Sequence, residues 1–413
     1  MTDYEPYPVV TFNGTKTYQN NAISSISIQN GRDDVTTQPE PGYANIQLFT
    51  DSDTPIDVEL ADFVEITINK GTTGTQTIFK GTISDIEISI DAYGNTGQIA
   101  IYSITAVGPL AQVNRRQVGV SGYGQQFDGN RVYRILTDAF GTEWTDVDED
   151  LTWADVNPTY QWNTYDANQS DYVATLLANI DRPGVYELAA YSGGTTNALS
   201  LAGLAADSGR GVLFEAGNGE IYYDDYAART GRTALALTSN DLLVNGLKSN
   251  AQWGEIVNKA SVVYSGGTKT ASDGESVRLY GQLSGTRSTQ LLSAAAASGQ
   301  AKDFVRQRAY PRTYPEVLTV PLHSPTVSDA TRDALCAVVN GLRVATIQLP
   351  AVFGTYFDGF VEGYVWNLTR YTAELSLICS AYSETYTSLV WYQITPTTTW
   401  AGYTPSTTEW MDL

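Results

Sequence analysis

The chain has 413 residues, too many for one compact core, so roughly two to four domains are expected. Its 45 acidic and 24 basic residues leave a formal net charge of −21, which argues against conventional binding of nucleic acid or anionic membranes and suits a conduit that DNA passes without sticking. A hydrophobic content of 42% with 27 tyrosines supplies apolar area for packed domains and argues against global disorder.

The amino terminus carries neither the basic nor the apolar stretch of a secretion signal. No apolar run approaches the ~18 residues that cross a bilayer, so no membrane anchor is expected. Residues 1–110 are strand-rich. Strands at 25–28 and 44–49 flank a polar loop at 30–39. Residues 79–90 alternate, with Ile86, Ile88 and Ile90 on one face and Asp85, Glu87 and Ser89 on the other. A hairpin loop at 91–97 returns the chain into a strand at 99–104. Five or six strands with short turns predict a small antiparallel barrel or sandwich, taken here as the first β-barrel.

Residues 111–250 read as a mixed α/β domain. Val132, Ile135, Leu136, Ala139 and Phe140 fall at helical spacing, and Gly141 is a C-terminal stop. A second helix is expected at about 170–180, with Tyr172, Val173, Leu176, Leu177 and Ile180 as its apolar stripe and Asn168 or Ser170 as its cap. Asn218-Gly219 marks a hairpin between strands at 212–215 and 221–223.

Residues 251–390 predict a second β-barrel, opened by a strand at 256–264 and interrupted by a helical insertion at about 291–340. Four consecutive alanines favour helix at 291–308, and Pro311 and Pro315 end it. A shorter helix at 329–339 leads into Leu342. Residues 391–413 form an extended tail of prolines and threonines, whose Trp400 and Trp410 are expected to dock on a neighbour.

The two β regions are related. Phe79-Lys-Gly81-Thr-Ile83-Ser-Asp-Ile86-Glu-Ile88 returns as Phe357-Asp-Gly359-Phe-Val361-Glu-Gly-Tyr364-Val-Trp366, at a constant offset of 278 residues (79 to 357, 88 to 366). Val64, Ile66 and Ile68 precede one copy, and Leu342, Val344 and Thr346 the other. Ile99 and Ile101 follow the first, and Leu375 and Leu377 the second. The fold class is therefore mainly β, with two related barrels joined by an α/β insertion. A chain carrying one barrel twice supplies two similar positions to a ring, which points to an assembly part rather than an enzyme. Asp85 and Glu87 are candidate lumen or interface charges, with Glu362 and Glu374 as looser counterparts in the second unit.

Catalytic and cofactor motifs are missing. His323 is the sole histidine, set in a strand-to-turn context without a nucleophile motif, and zinc sites need more ligands than this. Gly122-Tyr-Gly124 lacks the third glycine of a dinucleotide fingerprint, and Gly119-Val-Ser121 lacks the glycine that completes a nucleophile elbow. Asp146, Asp148 and Asp150 alternate as in a calcium loop, but Leu151 and Asn157 stand where glycine and glutamate are required. Cys336 and Cys379 belong to no metal or redox pair, which suits a reducing cytosol. No cofactor and no metal are expected.

The order of these patterns resembles the tail-hub proteins of tailed bacteriophages, also called baseplate hub or tail-associated proteins. The resemblance rests on the first barrel, the Asn218-Gly219 hairpin, the strand Ile256-Val-Asn-Lys-Ala-Ser-Val-Val-Tyr264 and the Phe357 to Trp366 motif. It spans about residues 1–390. The opening block Gln29-Asn-Gly-Arg-Asp-Asp-Val-Thr-Thr-Gln-Pro39 resembles siphophages of actinobacteria, whose chains are labelled minor tail proteins. The resemblance implies a homotrimer whose six barrels form a pseudo-sixfold ring at the virion tail tip, assembled in the host cytoplasm and transmitting DNA. Its implied partners are the distal tail ring, the tape measure protein and further tip or fibre proteins. Any lytic module would belong to another protein, since the sequence stops at Leu413. Two alternatives are a distal tail protein, forming a hexameric ring from one barrel per chain, and a tail protein that binds or hydrolyses host-surface carbohydrate.

Overall fold

The computed structural model describes residues 4–51, 54–92, 98–140, 177–243, 247, 253–311, 314–353 and 356–382. The expected loop at 146–150, most of the helix at 170–180, and Trp400 and Trp410 lie outside these residues. The strands of the first region are β1 (Val9–Phe12), β2 (Lys16–Gln19), β3 (Ile23–Gly31), β4 (Glu40–Asp51), β5 (Phe63–Asn69), β6 (Thr75–Ala92) and β7 (Gln98–Val107). Seven short ones follow: β8 (Gln117–Val118), β9 (Gln126–Phe127), β10 (Asn179–Ile180), β11 (Glu187–Leu188), β12 (Thr196–Asn197), β13 (Val212–Glu215) and β14 (Ile221–Asp224). The remainder are β15 (Leu235–Thr238), β16 (Lys259–Tyr264), β17 (Gly267–Ser272), β18 (Ser284–Ser288), β19 (Val317–Pro321), β20 (Arg343–Ile347), β21 (Tyr356–Leu368) and β22 (Ala373–Ala381).

The mainly β class holds, but the described strands do not close into two separate barrels. They form one twelve-stranded sheet in the order β15-β20-β21-β3-β4-β7-β6-β5-β1-β2, with β22 paired to both β21 and β19. The two regions join where β3 runs antiparallel to β21, Gly31 opposite Gly363 and Ile26 opposite Leu368. One apolar cluster accordingly runs through both, from Val10 and Phe12 to Trp366 and Leu377. The physical reason is the inner face of β21. Tyr364, Trp366 and Leu368 are buried there, and β3 brings Ile28 and Ile26 opposite the last two.

The internal repeat is structural as well as sequential. β5-β6-β7 and β20-β21-β22 are both antiparallel triplets. Each long central strand carries a register shift at the same point, between Ile83 and Asp85 in β6 and between Val361 and Gly363 in β21, again 278 residues apart. Gly81 faces Val64 and Gly359 faces Val344, so the stretch joining the paired positions, strand ends and turn together, is two residues shorter in the second copy (64 to 81 against 344 to 359). Val344, not Leu342, is therefore the structural counterpart of Val64. The glycines explain the motif. A Cβ on Gly81 would strike the Val107 carbonyl and the Phe79 ring, and one on Gly359 would strike the Ser380 carbonyl and the Phe357 ring. In each copy the ring two residues earlier covers the glycine, which requires that position to stay bare.

The middle of the chain has its own core. The helix Asp128–Phe140 buries Val132, Ile135, Leu136 and Ala139 as the spacing predicts, against the helix Ala198–Ser208. Asn218-Gly219 makes the expected hairpin between β13 and β14, with Gly219 at φ 82°. The end of the expected helix at 170–180 is instead strand, because Asn179 and Ile180 pair in parallel with Tyr222 and Tyr223 of β14. The helix Ala294–Arg308 begins three residues later than expected, since Ser293 caps it by accepting from the Ala295 and Ala296 amides and Leu291 is buried ahead of it. It packs on the separate sheet β17-β16-β18. No described helix is long and apolar enough to cross a membrane.

Replacing either glycine tests the repeat. Gly81→Ala and Gly359→Ala should each lower unfolding stability by about 1–3 kcal/mol, with similar losses in urea denaturation because both glycines solve the same packing problem.

Candidate functional site

The strand β6 outruns its neighbour. β5 starts only at Phe63, opposite Thr82, and the last main-chain bonds on that edge join Ala61 N to Ile83 O at 3.0 Å and Ile83 N to Asp62 O at 2.9 Å. From Asp85 to Ala92, β6 pairs with β7 and, among the described residues, with nothing on its other edge. The faces alternate as expected: Asp85 and Glu87 stand exposed on the outer face, and Ile86, Ile88 and Ile90 share the inner face with Ile104, Tyr102 and Ala100. Yet Ile88 is 57% and Ile90 62% exposed, since among the described residues no strand continues β5 along that edge.

The second copy shows what such an edge holds when filled. Shifted by 278 residues, Asp85 to Ile90 become Gly363 to Leu368, the stretch that β3 pairs with inside the chain. Ile86, Ile88 and Ile90 thus take the places of Tyr364, Trp366 and Leu368, all of which are buried. An uncovered strand edge beside bare isoleucines is a template for another strand.

Glu362 occupies a different setting from Asp85 and Glu87. It sits in the irregularity between Val361 and Gly363, with its side chain 2% exposed. Its Oε2 accepts from Arg32 Nε at 2.8 Å and Nη2 at 2.6 Å, and its Oε1 from Arg229 Nη2 at 2.8 Å and Ser380 Oγ at 2.5 Å. The Arg32 amide also donates to the Glu362 carbonyl at 2.9 Å, so the cluster clamps the end of β3 to β21 and both to the helix Tyr226–Thr230. Burial works against ionisation, but Arg229 and Arg32 outweigh it and hold the carboxyl down at about 2. Glu374 is half-buried on β22, opposite Asn367 and Pro321. The two candidate acids of the first unit and their two looser counterparts in the second thus occupy three different settings. Arg32 and Arg229 went unread because nothing local in the sequence links them to Glu362.

A second buried carboxylate braces the junction from the other side. Glu215, at the end of β13, accepts from the Gly42 amide at 2.8 Å and the Leu110 amide at 2.7 Å. Side chains at Gly42 or Gly108 would occupy its cradle. Burial pushes its pKa up to about 7 against the pull of those two amides. His323 contributes no such chemistry: its Nδ1 lies 3.1 Å from the Ala373 carbonyl. Cys336 and Cys379 are free and buried, and burial raises both thiols, Cys336 to about 11.

No family model and no curated protein sequence matches the chain. Solved structures do. The chain is similar to the 43 kDa tail protein of prophage MuSo2 from Shewanella oneidensis, at 12% identity over 92% of this chain and 98% of that one, with a TM-score of 0.58. It is similar to a tail protein from Neisseria meningitidis MC58, at 10% identity over 92% and 99%, with a TM-score of 0.60. It is also similar to the prophage tail protein gp18 from Listeria monocytogenes EGD-e, at 14% identity over 90% and 94%, with a TM-score of 0.50. The fold is thus one found in phage tail proteins, along nearly the whole length of each.

Glu362→Gln would leave two buried guanidiniums facing a neutral amide, and should cost about 3–5 kcal/mol at neutral pH. The wild-type carboxyl, lowered from 4.5 to about 2, gives stability that is present above about 4.5 and lost as the pH falls towards 2. Urea titrations across that window should find the gap between parent and variant narrowing with acidification. A constant gap would contradict the clamp.

Proposed function

We propose that this chain is a structural hub at the tip of a phage tail, in which three copies form a pseudo-sixfold ring that continues the tail tube and lets DNA pass. The observation that carries the reading is the β6 edge. Inside one chain, the first region lends β3 to the second region's β21. Among the described residues, the equivalent edge on the first region is bare and apolar. A neighbouring copy would fill it in the same manner.

The second region has the matching donor side. β19 stands to β22 as β4 stands to β7, and the Leu243 amide donates to the Thr319 carbonyl at 2.8 Å, in the place beside β19 that β3 holds beside β4. Head-to-tail contacts of this kind are heterologous, and they close only if the rotation per copy divides a full turn. With two similar regions per copy, three copies give six positions. Asp85 and Glu87 then lie on the solvent face next to the seam, as lumen or interface charges. A net charge of −21 keeps such a channel from holding DNA. The further partners in this reading are the distal tail ring, the tape measure protein and tip or fibre proteins, with Trp400 and Trp410 in the docking tail. The ring performs no catalysis of its own.

Light scattering with class-averaged electron images tests this on the purified chain. The expected result is a threefold ring with six lobes around an open centre. Ile88→Lys combined with Ile90→Lys should fold with unchanged thermal stability, yet associate at least about a hundredfold more weakly, since each buried isoleucine is worth about 1.5–3 kcal/mol. A ring that forms unchanged in the double variant would reject the β6 edge as the seam, and a hexamer of whole chains would reject the hub.

A further inference from the structure

The turn before β5 holds a large apolar side chain in the open. Asp62 N donates to the Glu59 carbonyl at 3.2 Å, and Glu59 N donates to Asp62 Oδ2 at 2.9 Å, so residues 59–62 close on themselves. Asn13 Nδ2 donates to Asp62 Oδ1 at 2.7 Å and ties this turn to the one between β1 and β2. Within it Ala61 stands at φ 70°, a left-handed conformation that residues other than glycine rarely adopt. Leu60 sits at the tip of this fixed turn and is 63% exposed.

The same turn recurs before β20, where its surroundings are filled. Ala61 N bonds Ile83 O and Ile83 N bonds Asp62 O; likewise Gly341 N donates to Val361 O at 2.7 Å and Val361 N to Leu342 O at 2.8 Å. Gly341 stands at φ 77°, as Ala61 does at 70°. Asn340 is therefore the counterpart of Leu60, yet it is only 1% exposed. The end of β3 lies against it: a Cβ on Gly31 would come within 2.6 Å of Asn340 Nδ2. Arg232 Nη1 also donates to the Asn340 carbonyl at 3.1 Å. A second difference accompanies the first. The residue inside the register shift is Glu362 in β21, paired with Arg32 and Arg229, but Ser84 in β6, which is exposed and donates to the Thr105 carbonyl at 3.2 Å. At two points where the junction within the chain is polar or ionic, the first region thus offers a leucine and an uncharged serine.

We propose that Leu60 is the end anchor of the contact between copies, buried by the neighbouring chain as Asn340 is buried by β3, so that this seam closes on apolar contact in place of an ion cluster. It rests on the ring reading and adds what the β6 edge requires of its partner. A second copy must lay a small or apolar residue over the turn. It must bring no buried arginine there, since Ser84 has no carboxylate to pair with one. Leu60 is placed for this: Ala61 and Asp62 bond to Ile83, one residue before Ser84, where the open edge begins. A fixed, exposed leucine at the end of an uncovered strand edge extends the patch of Ile88 and Ile90. Salt that would screen an ion cluster leaves such a contact intact, and it relieves the repulsion between copies of like charge.

Sedimentation of the full chain over a range of concentrations, in roughly 0.05 M and 1 M NaCl, tests this with Leu60→Ser beside the parent. Leu60→Ser should melt with the parent, because that side chain is exposed in the free chain, and should assemble at least about tenfold more weakly. Parent assembly should hold or tighten on added salt. A folded Leu60→Ser chain that assembles like the parent would overturn the anchor, and so would parent assemblies that come apart in high salt. The salt series needs no variant, so it decides the matter even where Leu60→Ser does not fold. A parent that stays monomeric throughout would instead remove the ring reading itself, and with it the second copy as the occupant over Leu60.

Discussion

The antiparallel pairing of β3 with β21 is the interaction on which the rest of the structure depends. It joins residues 26–31 to residues 363–368, more than three hundred positions away. Closing so long a loop is entropically costly, and the cost must be met by what the pairing buries. That is the inner face of Tyr364, Trp366 and Leu368, together with Ile26 and Ile28. The Arg32–Glu362–Arg229 cluster fixes the end of the same seam. Two buried guanidiniums and a carboxylate add little net stability over an apolar filling, but they are intolerant of misplacement. Their role in this account is register: a slip of one residue along β21 would turn every apolar side chain to the wrong face and leave the ions unpaired.

A duplicated unit whose edge is filled in one copy and, among the described residues, bare in the other is asymmetric in a consequential way. The molecule carries within itself an example of the contact that its first region lacks. Natural sheets protect long edges with charges or bulges, and β6 does carry Asp85 and Glu87, but on the outer face. The inner face presents isoleucines. That combination leaves one edge available to a partner of matching form.

Much of this was legible in the sequence where the cause is local. The aromatic-X-glycine motif and the alternation around it revealed the repeat, because a ring lying over a bare glycine is decided within three residues. The faces of β6 were read correctly for the same reason. Alternation cannot say whether a face is covered, so the exposure of Ile88 and Ile90 did not follow from it. Nor did the fusion of two expected barrels into one sheet, since pairing across hundreds of residues leaves no local trace. Glu362 looked like Asp85 and Glu87 in pattern, and only the distant Arg32 and Arg229 set it apart. The helix Ala198–Ser208 escaped because its Leu201, Ala202, Ala205 and Ala206 stripe is made of small residues with weak contrast, although Asn197 caps it by accepting from the Ser200 amide.

Amide hydrogen exchange, compared between dilute and assembled protein, reaches the central claim most directly. The account predicts that residues 363–368 are protected in both states, because β3 covers them within the chain. Along residues 85–90, the amides pointing away from β7 should exchange freely in the dilute chain and become protected on assembly. Assembled particles in which those amides still exchange freely would contradict it, because the ring would then be held by some other surface.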